Sequence, residues 1–196
     1  MRFCEDNAFW LEDYALFMTV KESYGGRSLT EWEAPVRERD PEALSKLGDA
    51  YAETIRFHKW EQYTFTCQWK ALKDYANEAE VRIIGDIPIY VSADSADFWA
   101  HRDLFLLDER GRIRMVAGVP PDCFSADGQL WGNPLYDWGR HAKTGYDWWI
   151  RRIRKCTEFY DVIRIDHFRG FDEYFAIPAQ NTNAARIREM TRLYGR

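Results

Sequence analysis

The run Val162-Ile163-Arg164-Ile165-Asp166-His167 carries a cation and an anion two positions apart in a β-branched setting. Side chains alternate along a strand, so Arg164 and Asp166 point to one side and Ile163 and Ile165 to the other. A guanidinium beside a carboxylate favours the ionised carboxylate, the form that a nucleophile requires. In a β/α barrel the apolar pair would face the helices and the polar pair the axis, and polar residues at the carboxyl end of such a strand read as catalytic. An interior Arg–Asp ion pair that only orients a loop fits the same spacing. A second apolar run delivers Asp86 directly after Ile83-Ile84-Gly85. There it can bind a substrate hydroxyl, anchor the Arg164 guanidinium, or serve as a structural turn carboxylate. His167 can donate to a hydroxyl or be a structural histidine. His58, His101 and His141 show no mutual metal-ligand spacing, so no metal centre is expected.

The elements that must position these residues follow from the hydrophobic period. From Asn7 to Glu22, Trp10, Tyr14, Phe17 and Met18 recur at helical spacing, and Gly25-Gly26 stops the helix. Asp40-Pro41 opens a second helical region, with Asp as N-cap and Pro at the first helical position, which runs in one or two pieces to about Glu80. Its aromatic middle, Phe57, Trp60, Tyr63, Phe65 and Trp69, holds more rings than one core-facing stripe needs. Val81 to Val91 then reads as a parallel strand that ends near Asp86, because Pro88 cannot donate to a ladder. Leu104 to Val116, turning at Asp108-Glu109-Arg110-Gly111, reads as a small hairpin. Pro120 to Gly139 is a long loop without period, and such loops are usually functional. Gly145 to Tyr160 is helical, with Tyr146, Trp149, Ile150, Ile153, Cys156 and Tyr160 on one face. Glu173 reads as helical, and so does the basic stretch from Gln180 to Arg196. Strand, loop, helix and strand in this order are the grammar of a parallel α/β fold.

Composition limits the partners. The 196 residues are 46% hydrophobic and 30% charged, enough apolar matter for a core. The net charge of −5, with basic residues scattered among acids, argues against nucleic acid. No apolar run is long enough to span a bilayer and the start has no export signal, so neither membrane nor secretion is expected. Cys4, Cys67, Cys123 and Cys156 are far apart without Cys-x-x-Cys spacing, as expected of reduced thiols in a cytoplasmic protein. Aromatic residues reach 16%, nine of them Trp, which suits a ring-rich core and also a cleft in which rings pack on sugar faces.

Several segments together resemble one family. Gly85-Asp86-Ile87-Pro88-Ile89-Tyr90-Val91, Asp94-Ser95-Ala96-Asp97, Gly118-Val119-Pro120-Pro121-Asp122, Trp131-Gly132-Asn133-Pro134-Leu135-Tyr136 and Arg164-Ile165-Asp166-His167-Phe168-Arg169-Gly170 look like the signature segments of amylomaltases, the disproportionating 4-α-glucanotransferases, in matching order and spacing. Glu12 to Phe17 and Gln68-Trp69 fit the same family.

The resemblance implies a partial (β/α)8 TIM-type barrel of the α-amylase clan with helical and loop insertions. Residues 1–196 would form one incomplete catalytic domain: a mostly helical insertion to about residue 80, barrel strands with a substrate loop over 81–179, and an unaligned tail over 180–196. It implies transfer of α-1,4-glucan segments by retaining double displacement, without a metal or organic cofactor. Asp166 would be the nucleophile with Arg164 beside it, and Asp86 and His167 would bind sugar hydroxyls. Trp131 and Asn133 would border the donor site, and Asp122, Cys123 and Phe124 lie in a loop that would fold over bound glucan. Cys123 departs from the aromatic or small residue common there, which makes contact at that position less secure. The general acid/base and a third carboxylate are expected outside this chain, and Glu173 matches no catalytic motif. Partners would be maltooligosaccharides and α-1,4-glucans, and unclosed barrel edges would permit self-association. A glucan-binding segment without turnover is the first rival. A metal-dependent barrel hydrolase using Asp86, Asp166 and His167 is the second.

Overall fold

The computed structural model describes residues 2–121, 123, 125–180 and the backbone of 191–194. The chain divides into two compact units, Met1–Val81 with Asp94–Ala100, and Arg82–Ala93 with His101–Arg196.

The first unit is helical: α1 (Arg2–Asp6), α2 (Ala8–Ser23), α3 (Ala34–Arg37), α4 (Pro41–Ala50), α5 (Ala52–Glu78) and, returning from further along the chain, a short helix at Ala96–Ala100. Helix α2 buries Leu11, Ala15, Phe17 and Val20 and ends where Gly25 and Gly26 adopt positive φ, a conformation in which a side chain would be strained. Asp40 caps α4 as expected, its carboxylate accepting from the Ala43 amide at 2.9 Å with Pro41 at the first helical position. Three rings form the core, with centroids 5.3 Å (Phe17–Trp32), 5.8 Å (Phe17–Trp99) and 5.7 Å (Trp32–Trp99) apart. Asp94 accepts from Leu29 N at 3.0 Å and from Lys21 Nζ, so this part of the motif is a structural clasp. The upstream signature residues tie helices as well: Asp13 pairs with Arg39 and Glu12 with Lys59. His58, buried between Glu22 and Glu61 at 3.2 and 2.9 Å, is structural. It is the single buried residue of the 27 in α5, whose Phe57, Trp60, Tyr63, Phe65 and Tyr75 rings are exposed.

The second unit is mixed α/β. Strand β1 (Ile84–Pro88) pairs in parallel with β4 (Val162–Asp166), and the helix at Ala96–Ala100 is α6 in chain order. Between these strands come β2 (Met115–Val119), β3 (Gln129–Pro134), α7 (Trp138–Lys143) and α8 (Asp147–Phe159), and after them β5 (Glu173–Pro178) and β6 (Thr191–Tyr194). The last four strands named here, β2, β3, β5 and β6, make an antiparallel sheet in the order β3-β2-β5-β6.

Several expectations are corrected. Pro88 lies inside β1, as its last residue opposite Asp166. Proline is tolerated where a ladder ends, and Arg152 Nη2 donates to the Pro88 carbonyl at 2.9 Å. The small hairpin about Asp108–Gly111 is present, with Leu107 opposite Ile113 and Arg114 N donating to Leu106 O at 3.1 Å, and its second arm continues into β2. The long loop contains β3 and leads into α7, and Trp131 therefore stands on a strand. Glu173 opens a strand, paired through β5 to β2, with Tyr174 and Ala176 buried at period two. In the tail, Thr191–Tyr194 is strand and not helix; residues 181–190 lie outside the described ones. Ile150 on α8 and Tyr146, which precedes the helix as its N-cap, are exposed, and Arg152 takes the inner face instead, its guanidinium 5.3 and 5.0 Å from the Trp148 and Trp149 rings.

Gly85 is where β1 passes Tyr160. A Cβ there would meet the Tyr160 ring at 2.1 Å. Gly85→Ala should therefore destabilise the chain by about 1–3 kcal/mol, the usual cost of overpacking. The check is the urea midpoint, which Tyr160→Leu in the same chain should partly restore; an unchanged midpoint for Gly85→Ala alone would refute the crowding.

Candidate active site

Burial alternates along both parallel strands. In β1, Gly85 and Ile87 are buried while Ile84, Asp86 and Pro88 are exposed; in β4, Arg164 and Asp166 are exposed and Ile163 and Ile165 half-buried. Because Asp86 is opposite Arg164 and Pro88 opposite Asp166, all three charged residues lie on one face near the carboxyl ends of both strands. Arg164 Nη2 donates to Asp166 Oδ1 at 2.8 Å, and its Nε stands 3.6 Å from Asp86 Oδ1, an ion-pair distance too long for a hydrogen bond. The hydrogen bond to Asp166 and the charges of Asp86 and Asp166 raise the Arg164 pKa. The side chains of all three are more than half exposed, at 56%, 64% and 59% for Asp86, Arg164 and Asp166. So open an ion pair adds little stability.

His167 follows β4 with φ of 53°, a left-handed conformation uncommon for a residue with a side chain and frequent at functional sites. The turn is closed by Gly170 N donating to His167 O at 2.8 Å. The imidazole meets Trp131 edge to face, with centroids 4.9 Å apart and planes at 87°, and lies 6.1 Å from Tyr90. Trp131 Nε1 donates to Gln129 Oε1 at 2.9 Å, and its ring is 36% exposed, leaving part of its surface open to a ligand. Asn133, expected near the donor site, uses Nδ2 to hold the Val91 carbonyl at 2.9 Å and so ties β3 to the segment after β1. Asp122 and Phe124, expected in a loop over bound glucan, lie outside the described residues, and Cys123 is exposed. All four cysteines are free. Among the described residues no group of three His, Cys, Asp or Glu side chains could hold a metal. No helix of the described residues is long and apolar enough to cross a membrane.

Two contributors were not singled out from the sequence. Arg152 secures the end of β1 through the Pro88 carbonyl, and its four-residue spacing from Trp148 on a helix was the available signal. Tyr90 joins the Trp131 and His167 rings, and its place in the Gly85–Val91 motif was the signal.

Burial lowers the His167 pKa, against the pull of Asp166 and with that of Arg169. Burial likewise lowers that of His141, opposed by the Leu104 backbone, Asp137 and Asp103. Both folded values lie below the unfolded one, so the folded chain binds fewer protons than the unfolded chain in the window between them. Stability is then full above about pH 6.5 and falls as acid protonates the two rings. The urea midpoint should drop between about pH 7.5 and about pH 5.5, and His141→Phe should flatten that dependence. A rise in midpoint over the same interval would contradict the assignment.

Comparison with known proteins gives the family. The family model described as 4-alpha-glucanotransferase matches residues 1–193. A 4-alpha-glucanotransferase of Thermus thermophilus is 51% identical over 177 residues, covering 90% of this chain and 35% of that protein. The chloroplastic/amyloplastic enzyme of Solanum tuberosum is 44% identical, over 87% of this chain and 30% of its own length. An amylomaltase of Streptococcus agalactiae in complex with acarbose superposes with a TM-score of 0.91 at 42% identity, covering 98% of this chain and 38% of that one. The chain thus spans about a third of the length of these relatives, and it belongs to the 4-alpha-glucanotransferase family.

Proposed function

We propose that this chain supplies the nucleophile and sugar-binding groups of a retaining transferase that moves α-1,4-glucan segments between maltodextrins. The observation that carries the reading is the Asp86, Arg164 and Asp166 cluster on one exposed face, at matched carboxyl ends of two parallel strands, with the His167 and Trp131 rings next to it. That is where a β/α barrel keeps its catalytic groups, and β1 and β4 are read as neighbouring strands of a (β/α)8 barrel. That the similar Streptococcus agalactiae amylomaltase is in complex with acarbose supports a sugar as the ligand.

In the proposed reaction Arg164 holds one oxygen of Asp166, and the other attacks the anomeric carbon. The bond to the departing glucan breaks as an acid protonates its oxygen, leaving a β-glycosyl ester on Asp166. The 4-hydroxyl of a second sugar then attacks that carbon, gives its proton to the same acid/base, and releases Asp166. Asp86 and His167 bind sugar hydroxyls, and the loop carrying Asp122, Cys123 and Phe124 covers the glucan and excludes water. The acid/base and the third carboxylate come from chain outside these residues. No cofactor enters the chemistry. The protein acts in the cytoplasm on maltooligosaccharides and α-1,4-glucans, and neither nucleic acid nor membrane is a partner. By itself the chain binds glucan without turnover, and it self-associates through β1 and β4, whose Ile84 and Val162 are exposed. The test of the reading is a family-length protein carrying this segment, incubated with maltotriose: glucose together with longer maltodextrins marks the transferase, and glucose and maltose alone would mark a hydrolase.

Trp131→Ala in that protein should weaken oligosaccharide use by on the order of 1–2 kcal/mol, the worth of an aromatic contact, with a smaller effect on stability. A large fall in melting temperature with unchanged maltotriose kinetics would make the ring structural only.

A further inference from the structure

We propose that Tyr90 is a positioning residue of this site, whose ring holds the His167 imidazole against Trp131. The consequence for sugar binding rests on the reading of His167 given above; the positioning itself does not. The left-handed backbone at His167 takes that residue out of the β4 ladder, so strand pairing does not orient its ring. Orientation falls to its neighbours. Tyr90, two residues beyond β1, is buried with 7% exposure and lies 6.1 Å from His167, 6.3 Å from Trp131 and 6.1 Å from Tyr136. The turn also comes so close that a Cβ on Gly170 would stand 2.9 Å from His167 Cδ2 and 3.2 Å from the Tyr90 hydroxyl. The imidazole is therefore bounded by Tyr90, Trp131 and the Gly170 backbone.

The ring of Tyr90, not its hydroxyl, is the group that acts. That oxygen is buried with no hydrogen-bond partner among the described residues, an arrangement that stabilises nothing. Burial, with Tyr174 and Tyr136 nearby, raises its pKa, so it carries no charge toward His167 near neutral pH. The charged groups acting on His167 are Asp166 on its own strand and Arg169 in the following turn; Trp131 from β3 brings none.

The experiment is an NMR titration of His167 in the whole 196-residue chain, without sugar, for wild type, Tyr90→Phe and Tyr90→Leu. In Tyr90→Leu the His167 midpoint should move up toward the free value of about 6.5 as the ring gains solvent. Tyr90→Phe should leave it in place and be at least as stable as wild type. His141, in the same unit, reports that the fold is kept, and if Tyr90→Leu fails to fold, Tyr90→Met takes its place in the comparison. An unmoved midpoint in the folded aliphatic variant, or an equal shift in Tyr90→Phe, would overturn the proposal. Because no sugar is present, a negative result here leaves the transferase reading intact, and failure of that reading leaves this titration intact.

Discussion

In a family-length protein, Asp166→Asn should abolish glucan transfer while leaving the fold and the β1/β4 pairing in place. The amide is nearly isosteric with the carboxylate but cannot form the glycosyl ester. Losing a covalent nucleophile removes several kcal/mol of barrier lowering, and about 1.4 kcal/mol corresponds to each factor of ten in rate. The fold should survive because the amide keeps the shape of the carboxylate, and strand pairing and the burial of Ile87 hold the neighbourhood together. The measurements are maltotriose disproportionation and thermal unfolding of wild type and variant. Turnover above about a tenth of wild type would remove Asp166 from the nucleophile role, because so small a loss is about 1.4 kcal/mol. Arg164→Lys separates the neighbouring role: a point charge keeps attraction to Asp166 but loses the planar fork that also faces Asp86, so activity should fall without vanishing.

The 196-residue chain on its own should show no measurable transfer from maltotriose, even when soluble. Retaining chemistry needs a second carboxyl about 5–5.5 Å from the nucleophile, protonated when the glucan leaves. The carboxylates that the structure brings to Arg164 are Asp86 and Asp166, and the proposed reaction already uses the first on a sugar hydroxyl and the second as nucleophile. Of the acids just downstream, Asp172 and Glu173, the second opens β5 and is paired with Arg169. Without a proton donor the glucan would depart as an alkoxide, and general acid help is worth roughly 10²–10⁴-fold. Chromatography for glucose and maltopentaose decides the matter. Products that form with this chain and disappear with Asp166→Asn would show that the acid lies within it.

The site was legible in the sequence wherever its logic is local. Alternation in Val162 to Asp166 put Arg164 and Asp166 on one side before any coordinates, and the capping of α4 by Asp40 and the stop of α2 at Gly25-Gly26 are likewise decided within a few residues. The ordered motifs carried the family. Tertiary structure decided what depends on partners distant in sequence. The sequence left Asp86 three roles, one of them beside Arg164; the parallel register, which sets it opposite Arg164 78 residues on, brings the two together. Strands β3 and β5 were read as loop and helix because Gly, Pro and Asn dominate the first and its ladder partner lies elsewhere, while the second shows its alternation only once β2 is beside it. The orientation of His167, bounded by Tyr90, Trp131 and Gly170, belongs to the same class. Period and capping are energies of neighbours along the chain, whereas register and ring contacts depend on which distant segments meet, and only the fold brings them together.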